Sequence, residues 1–242
     1  MTKIFAHRGA SAYAPENTME AFALAVKQGA DGIELDVQMT KDGEVVVIHD
    51  ETIDRVSDGK GAVRDYTLKE LRKFSFSNHM ESYKDAAIPT LKEVLEFLKP
   101  TKLELNIELK TGIYWYSGLE EKTMELVKEA GMENRVIYSS FNHYSIQKIL
   151  ELDSNAQCAY LYSDVFLNVD KYAKETGVCG LHPAVYHLKM PAFLKEYQES
   201  GLKIRVWTVN KKEDMETFIK ADLEAIITNY PDKALEVRRL LS

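Results

Sequence analysis

Short apolar runs of strand length alternate along the chain with longer stretches whose apolar residues recur at helical spacing. The runs that predict strands span residues 4–7, 33–37, 103–109, 136–141, 158–162, 178–182, 204–209 and 225–228. The helical periodicity falls at about 18–28, 91–98, 120–130, 144–152, 169–176, 192–200, 212–220 and 232–241. Stop and start signals support these limits. Asn17 with Glu20 three residues on predicts a capping box, and Gly29, Gly131, Gly177 and Gly201 follow helical runs where a C-terminal cap glycine belongs.

Strand–helix pairs repeated in this way predict an α/β protein, a TIM-type (β/α)8 barrel, for which ~250 residues is the usual size. A doubly wound open sheet is the alternative. It would call for a glycine-rich phosphate loop after the first strand, where this chain has His7-Arg8-Gly9. One segment breaks the alternation. Between Val37 and Val45 no helix fits, and Asp42-Gly43 lies between two strand-like runs, so the chain should fold back as an antiparallel hairpin and return His49 to about the level of Asp36. Residues 50–89 are then too long for a plain barrel loop and too short for a domain. They predict an insertion at the rim after the second barrel strand, with 1–242 forming one domain and a short helix at about 68–74.

Composition narrows the class. With 242 residues, 45% hydrophobic and 29% charged, the chain has the make-up of a globular enzyme with a large core. A net charge of −7 without a basic run argues against a nucleic-acid partner. Cys158 and Cys179, the only cysteines, show no metal or redox spacing and read as reduced thiols. No apolar stretch approaches the length of a membrane span, and the first strand begins at once. The expectation is therefore a cytoplasmic protein without stable membrane association. The oligomeric state is left open.

The chemistry gathers at strand ends. Glu34 and Asp36, two apart on one strand, share a face that points into a barrel. Two bare carboxylates there would repel and be poorly solvated, and a divalent cation resolves this, with Glu108 at the next strand end as third ligand. An all-carboxylate set favours one Mg²⁺ or Ca²⁺ over zinc. A metal-free network with Arg8 and Lys110 is the alternative. Arg8 offers a fork to phosphate oxygens, and Lys110, on the face of Glu108, a point charge. His7 and His49 suit general base and general acid, in an order the residues do not assign. Phe141 and Trp207 end strands and are candidates to wall the pocket against substrate carbon, or to pack the barrel. His182 and Asn229 end strands as well.

These residues lie in motifs that resemble the glycerophosphodiester phosphodiesterase family. The matching pieces are Ala6-His7-Arg8-Gly9, Pro15-Glu16-Asn17-Thr18, Glu34-Leu35-Asp36-Val37, Thr40-Lys41-Asp42-Gly43 and His49-Asp50. Ile88-Pro89-Thr90-Leu91, Glu108-Leu109-Lys110, Ser139-Ser140-Phe141 and Val206-Trp207-Thr208-Val209-Asn210 follow in order over the chain. The resemblance implies a TIM-type barrel with a small insertion. It also implies hydrolysis of small-molecule glycerophosphodiesters, such as glycerophosphocholine or glycerophosphoethanolamine, to glycerol 3-phosphate and an alcohol. By the same resemblance the metal falls to Glu34, Asp36 and Glu108, proton acceptance to His7, donation to His49, and phosphate contact to Arg8 and Lys110. The chain departs from the family pattern at Asn229, where Asp is common, and near residues 77–87, which lack a Gly-rich aromatic form.

Three other readings compete. A phospholipase acting on lysolipids or phosphoinositides would need an apolar rim for an acyl chain, which the polar insertion does not offer. Glycoside hydrolysis needs only two carboxylates and leaves the histidines, Arg8 and Lys110 without work. A catalytically idle phosphodiester-binding barrel would be expected to lack part of the set.

Overall fold

The computed structural model describes residues 1–241. Nine strands form one sheet: β1 (Lys3–His7), β2 (Gly32–Met39), β3 (Val45–Val47), β4 (Glu104–Leu109), β5 (Val136–Ser140), β6 (Gln157–Tyr162), β7 (Gly180–Pro183), β8 (Lys203–Val206) and β9 (Ala225–Thr228). All but β3 pair in parallel, and the β1–β2 and β1–β9 ladders close them into a barrel. The helices are α1 (Met19–Gln28), α2 (Leu68–Leu71), α3 (Leu91–Leu98), α4 (Leu119–Ala130), α5 (His143–Leu152), α6 (Val169–Glu175), α7 (Pro191–Glu199), α8 (Lys212–Lys220) and α9 (Pro231–Leu241). This is the expected (β/α)8 barrel.

Strand alternation sorts the core into two layers. Ile4, Ala6, Ile33, Leu35 and Val37 point outward onto helix residues such as Phe22 and Ala25. Phe5, Ile137, Ala159, Ala225 and Ile227 face inward and pack the barrel interior, with Trp207 against them. Gly32 is needed where it stands, since a Cβ there would meet the Phe5 ring at 2.7 Å. On α3, Leu91, Val94, Leu95 and Leu98 are buried at the spacing of one helix face, and Thr90 with Glu93 forms its capping box.

The N-terminus of α1 departs from expectation. Thr18, not Asn17, is the cap, accepting from the Ala21 amide at 3.3 Å. Asn17 is buried and turned to Asp36, at a backbone φ of 57°. Both residues are good cap formers, and the longer amide is the one that reaches the barrel.

The hairpin forms as expected. β3 runs antiparallel to β2 with Val37 opposite Val47, so Ile48 is level with Asp36 and His49 lies one residue beyond. Residues 50–89 are not uniformly polar inside. Ile53, Val56, Val63, Leu71, Phe76 and Ile88 cluster with Val46 and Ile48 of the hairpin. The expected short helix is confined to Leu68–Leu71. Among the described residues no helix is long and apolar enough to cross a membrane.

Candidate active site

At the C-terminal ends of the parallel strands, Glu34 and Asp36 of β2 and Glu108 of β4 each present a carboxylate oxygen within 4.8 Å of the others. The β2–β4 register places Asp36 directly beside Glu108. All three side chains are buried. Burial, with the charges of Asp36 and Glu108 added, pushes the Glu34 carboxyl well above its ordinary range. Burial also raises Glu108, with Lys110 acting in the opposite direction. Asp36 goes the other way: its burial is outweighed by the positive charge of Arg8, then of His49 and Lys110. Its Oδ2 accepts from Asn17 Nδ2 at 2.8 Å, while Oδ1 has no hydrogen-bond donor among the described residues.

Two cations flank this cluster. Arg8 turns at a φ of 56° and places Nη1 2.8 Å from Glu16 and Nε 3.5 Å from Asp36. Its backbone amide donates to Glu34 at 3.0 Å. Lys110 Nζ lies 2.9 Å from Glu108 and 4.0 Å from Asp36, and 5.9 Å from the Phe141 ring centre.

The two histidines meet at the same cavity with different partners. His7 Nδ1 is 2.7 Å from Asn229 Oδ1, which makes Nδ1 the protonated nitrogen and leaves the Nε2 lone pair toward Glu34, 3.9 Å away. Burial, then the nearby Arg8 charge, holds the His7 imidazole down at about 4. His49 Nδ1 donates instead to Asp50 at 2.6 Å. Arg55 clamps the far side of Asp50 at 2.7 Å and reaches Glu16 through both Nη atoms at 2.8 Å. An unbroken ionic chain, Arg8–Glu16–Arg55–Asp50–His49, thus ties the first strand to the insertion.

The cavity has a volume of about 190 Å³. His7, Arg8, Glu34, Glu108 and His49 form its charged side, and Phe141, Leu161, Trp207 and Ile227 its apolar side. Phe141 and Trp207 meet edge to face, ring centres 5.6 Å apart. All nine residues singled out in the sequence therefore converge on one end of the barrel.

Comparison with known proteins points to one family. Residues 7–233 match the model of the glycerophosphoryl diester phosphodiesterase family. The chain belongs to that family. It is 42% identical over 98% of both chains to a glycerophosphodiester phosphodiesterase of Caldanaerobacter subterraneus. With one from Bacillus altitudinis it shares 41% identity, again over 98% of each. Among solved structures, a glycerophosphodiester phosphodiesterase from Agrobacterium tumefaciens superposes with a TM-score of 0.84 at 29% identity, covering 98% of this chain and 100% of the other. A phosphodiesterase from Oleispira antarctica, in complex with its product sn-glycerol-3-phosphate, matches at 0.84 and 27% identity, covering 98% of this chain and 96% of that one.

Within this family member several site residues escaped the sequence reading. Asn106 lines the cavity and donates to Ser139 Oγ at 3.1 Å. Its place two residues before Glu108, on the same strand face, was the available signal. Glu16 and Asn17 stand in the Pro15-Glu16-Asn17-Thr18 motif, which assigned them no role, and Arg55 carried no signal that separates it from a surface charge. His182 of β7, which the sequence did place at a strand end, lines the cavity fully buried, and burial followed by the Arg205 charge keeps it neutral.

Proposed function

We propose that this phosphodiesterase hydrolyses glycerophosphodiesters to glycerol 3-phosphate and an alcohol, using one divalent cation and the His7/His49 pair. The observation that carries this reading is the convergence of two imidazoles with different hydrogen-bond partners and three buried carboxylates on one cavity. The product named for the Oleispira antarctica structure supports the choice of glycerol 3-phosphate.

The carboxylates fit a hard cation. They offer oxygen only, they are buried, Asp36 Oδ1 lacks a donor, and Glu34 is pushed up because its bare charge is penalised. Glu34, Asp36 and Glu108 would hold Mg²⁺ or Ca²⁺. When bound, such an ion neutralises negative charge on phosphoryl oxygens. Arg8 and Lys110 add fixed positive charge on the same side of the cavity.

His7 is neutral at physiological pH and presents Nε2 as acceptor, so it takes the proton from the attacking hydroxyl. His49, with Asp50 accepting from Nδ1, is oriented to give a proton from Nε2 to the leaving alcohol. The test is a panel of glycerophosphocholine, glycerophosphoethanolamine, a chromogenic phosphodiester and a chromogenic glycoside, each with Mg²⁺, Ca²⁺ or excess chelator. Cation-dependent release of glycerol 3-phosphate is expected. Glycoside cleavage, or full turnover in chelator, contradicts the reading.

A further inference from the structure

Two polar side chains of the cavity have no part in the chemistry proposed above. His182 of β7 and Asn106 of β4 are the most buried polar residues that line it, at 0% and 1% exposure. Among the described residues neither ring nitrogen of His182 has a hydrogen-bond partner. Asn106 Oδ1 has none either, while its Nδ2 is engaged with Ser139 Oγ at 3.1 Å. Buried polar atoms in folded proteins are nearly always paired. Three unpaired atoms on two walls of one cavity therefore mark a place where an entering group completes the bonding.

Their chemistry selects that group. Burial and the Arg205 charge hold His182 neutral, so its ring offers one N–H donor and one acceptor nitrogen. Asn106 Oδ1 only accepts. Neither side chain is charged, and an amide oxygen repels a phosphoryl oxygen, so the pair does not suit the phosphate. A hydroxyl suits it, since one hydroxyl can donate to Asn106 Oδ1 and accept from the His182 N–H. Strands β4 and β7 are three apart in the ring of eight, so the two residues approach the cavity from different sides. Leu161, Trp207 and Ile227 give the rest of this space an apolar lining, as is usual where a few polar groups fix a small ligand.

Strand register assigns the pair to one end of the substrate. His7 and Asn106 are both Cα partners of Glu34, from β1 and β4 on either side of β2, so Asn106 is level with His7. His49 stands farther out, one residue beyond the level of Asp36 on the hairpin. The leaving alcohol belongs with His49, which leaves the glycerol for the inner end. Resting on the function proposed above, we infer that Asn106 and His182 hold the terminal hydroxyl of the glycerol and set the selectivity for glycerol over alcohols that lack it. An alcohol without that hydroxyl would cover both polar groups and leave them unpaired, and a site built to bond a hydroxyl rejects such analogues strongly.

The experiment compares glycerophosphocholine with its analogue in which hydrogen replaces the terminal hydroxyl and the 2-hydroxyl is kept. The wild type should show kcat/KM at least about 10-fold lower for the analogue, mainly through KM. His182→Met removes donor and acceptor together and should shrink that ratio to about threefold or less, by loss on glycerophosphocholine alone. His182→Gln, which keeps a donor and an acceptor, should restore part of it. Both substrates are read on one protein sample, so a loss of folded enzyme cancels from the ratio. If His182→Met does not fold, Asn106→Leu is expected to shrink the ratio in the same way. Equal turnover of the two substrates by the wild type overturns this inference alone, and no turnover of any diester with any cation overturns the underlying function as well. A ratio unchanged in the variants, with both substrates slowed alike, would make the pair a structural partner of Arg205 or of internal water, and the inference fails.

Discussion

His7 and Asn229 face each other at 2.7 Å across the seam where the last barrel strand meets the first. The histidine of β1 is therefore oriented by a neutral amide, with burial and Arg8 free to hold it down at about 4. Asn229→Asp would place a carboxylate at that contact and favour the imidazolium. With His7 as proton acceptor, activity is lost on the acid side as His7 protonates. That limb of the kcat/KM–pH profile should move upward by about 1–2 pH units in the variant. A limb at the wild-type position would remove His7 from the acceptor role.

Arg55 is expected to act through His49. It is the only link that joins Glu16 to Asp50 among the described contacts, and Asp50 in turn aims His49. Arg55→Ala should lower kcat by about 10- to 100-fold, the scale of a small misplacement of a catalytic group. The loss should be larger for choline or ethanolamine as leaving group than for p-nitrophenolate, which departs without a proton. His49→Ala should show the same split more strongly. Equal losses on both substrate types would count against His49 as the proton donor.

The carboxylate cluster predicts an unusual pH dependence of stability. Glu34 and Glu108 have folded-state affinities for protons raised above the ordinary glutamate value of 4.5. The folded chain thus binds more protons than the unfolded chain above that value, and stability falls as pH rises from about 4.5 through the raised range. Asp36, held low, works in the opposite sense. Its contribution is complete above 3.8 and is lost as pH falls further. In excess chelator the two glutamates should therefore pull the melting temperature down from mildly acidic toward neutral pH, against the opposite pull of the neutral-held His7 and His182, so the decline is read as the difference between the wild type and Glu34→Gln. Saturating Mg²⁺ or Ca²⁺ should remove that decline, because a bound cation favours the ionised carboxylates. A chelated protein with no such slope would show that Arg8 and Lys110 alone neutralise the site.

How much of this was legible beforehand follows from where each residue sits. Glu34, Asp36 and Glu108 close apolar runs whose period of two fixes which face they occupy, and Asp42-Gly43 announced the hairpin that delivers His49. Turn chemistry sets pairing only to within a bulge or a slip, so the sequence placed His49 only about level with Asp36, and the structure puts it one residue beyond. Asn17 was misread since Asn-Thr before a helix satisfies the capping preference twice, and only the folded chain shows which member turns to Asp36. Arg55 lies in a segment without periodicity, so nothing local separates it from a solvated charge.

Gly9 offers a test of the loop that carries Arg8. It sits at a φ of +80°, and a Cβ there would lie 2.7 Å from the backbone carbon of Ala21 in α1. The contact is to main chain, so it cannot be relieved by a side-chain rotation. Gly9→Ala should cost about 2 kcal/mol or more, lowering the melting temperature by about 4–8 °C. It should also weaken catalysis, because the displaced turn carries both Arg8 and the amide that donates to Glu34. A variant of wild-type stability would mean that α1 gives way easily at Ala21.

The identity of the nucleophile yields the last prediction. The two imidazoles suit attack either by water or by the glycerol 2-hydroxyl through a cyclic phosphate. An internal hydroxyl held near the phosphorus gains by proximity, by up to ~7–11 kcal/mol in well-oriented cases. The aromatic pair Phe141 and Trp207 walls the cavity with an apolar surface suited to the glycerol carbons, and His7 presents an unprotonated Nε2 into the same space. That arrangement favours the internal route, with His7 taking the proton of the 2-hydroxyl and His49 protonating the leaving alcohol. Water then opens the cyclic phosphate with the two roles reversed. A substrate lacking the 2-hydroxyl should accordingly bind with a similar KM but turn over at least about 100-fold more slowly. Hydrolysis of this deoxy analogue at a comparable kcat would establish water as the direct nucleophile and exclude the cyclic route.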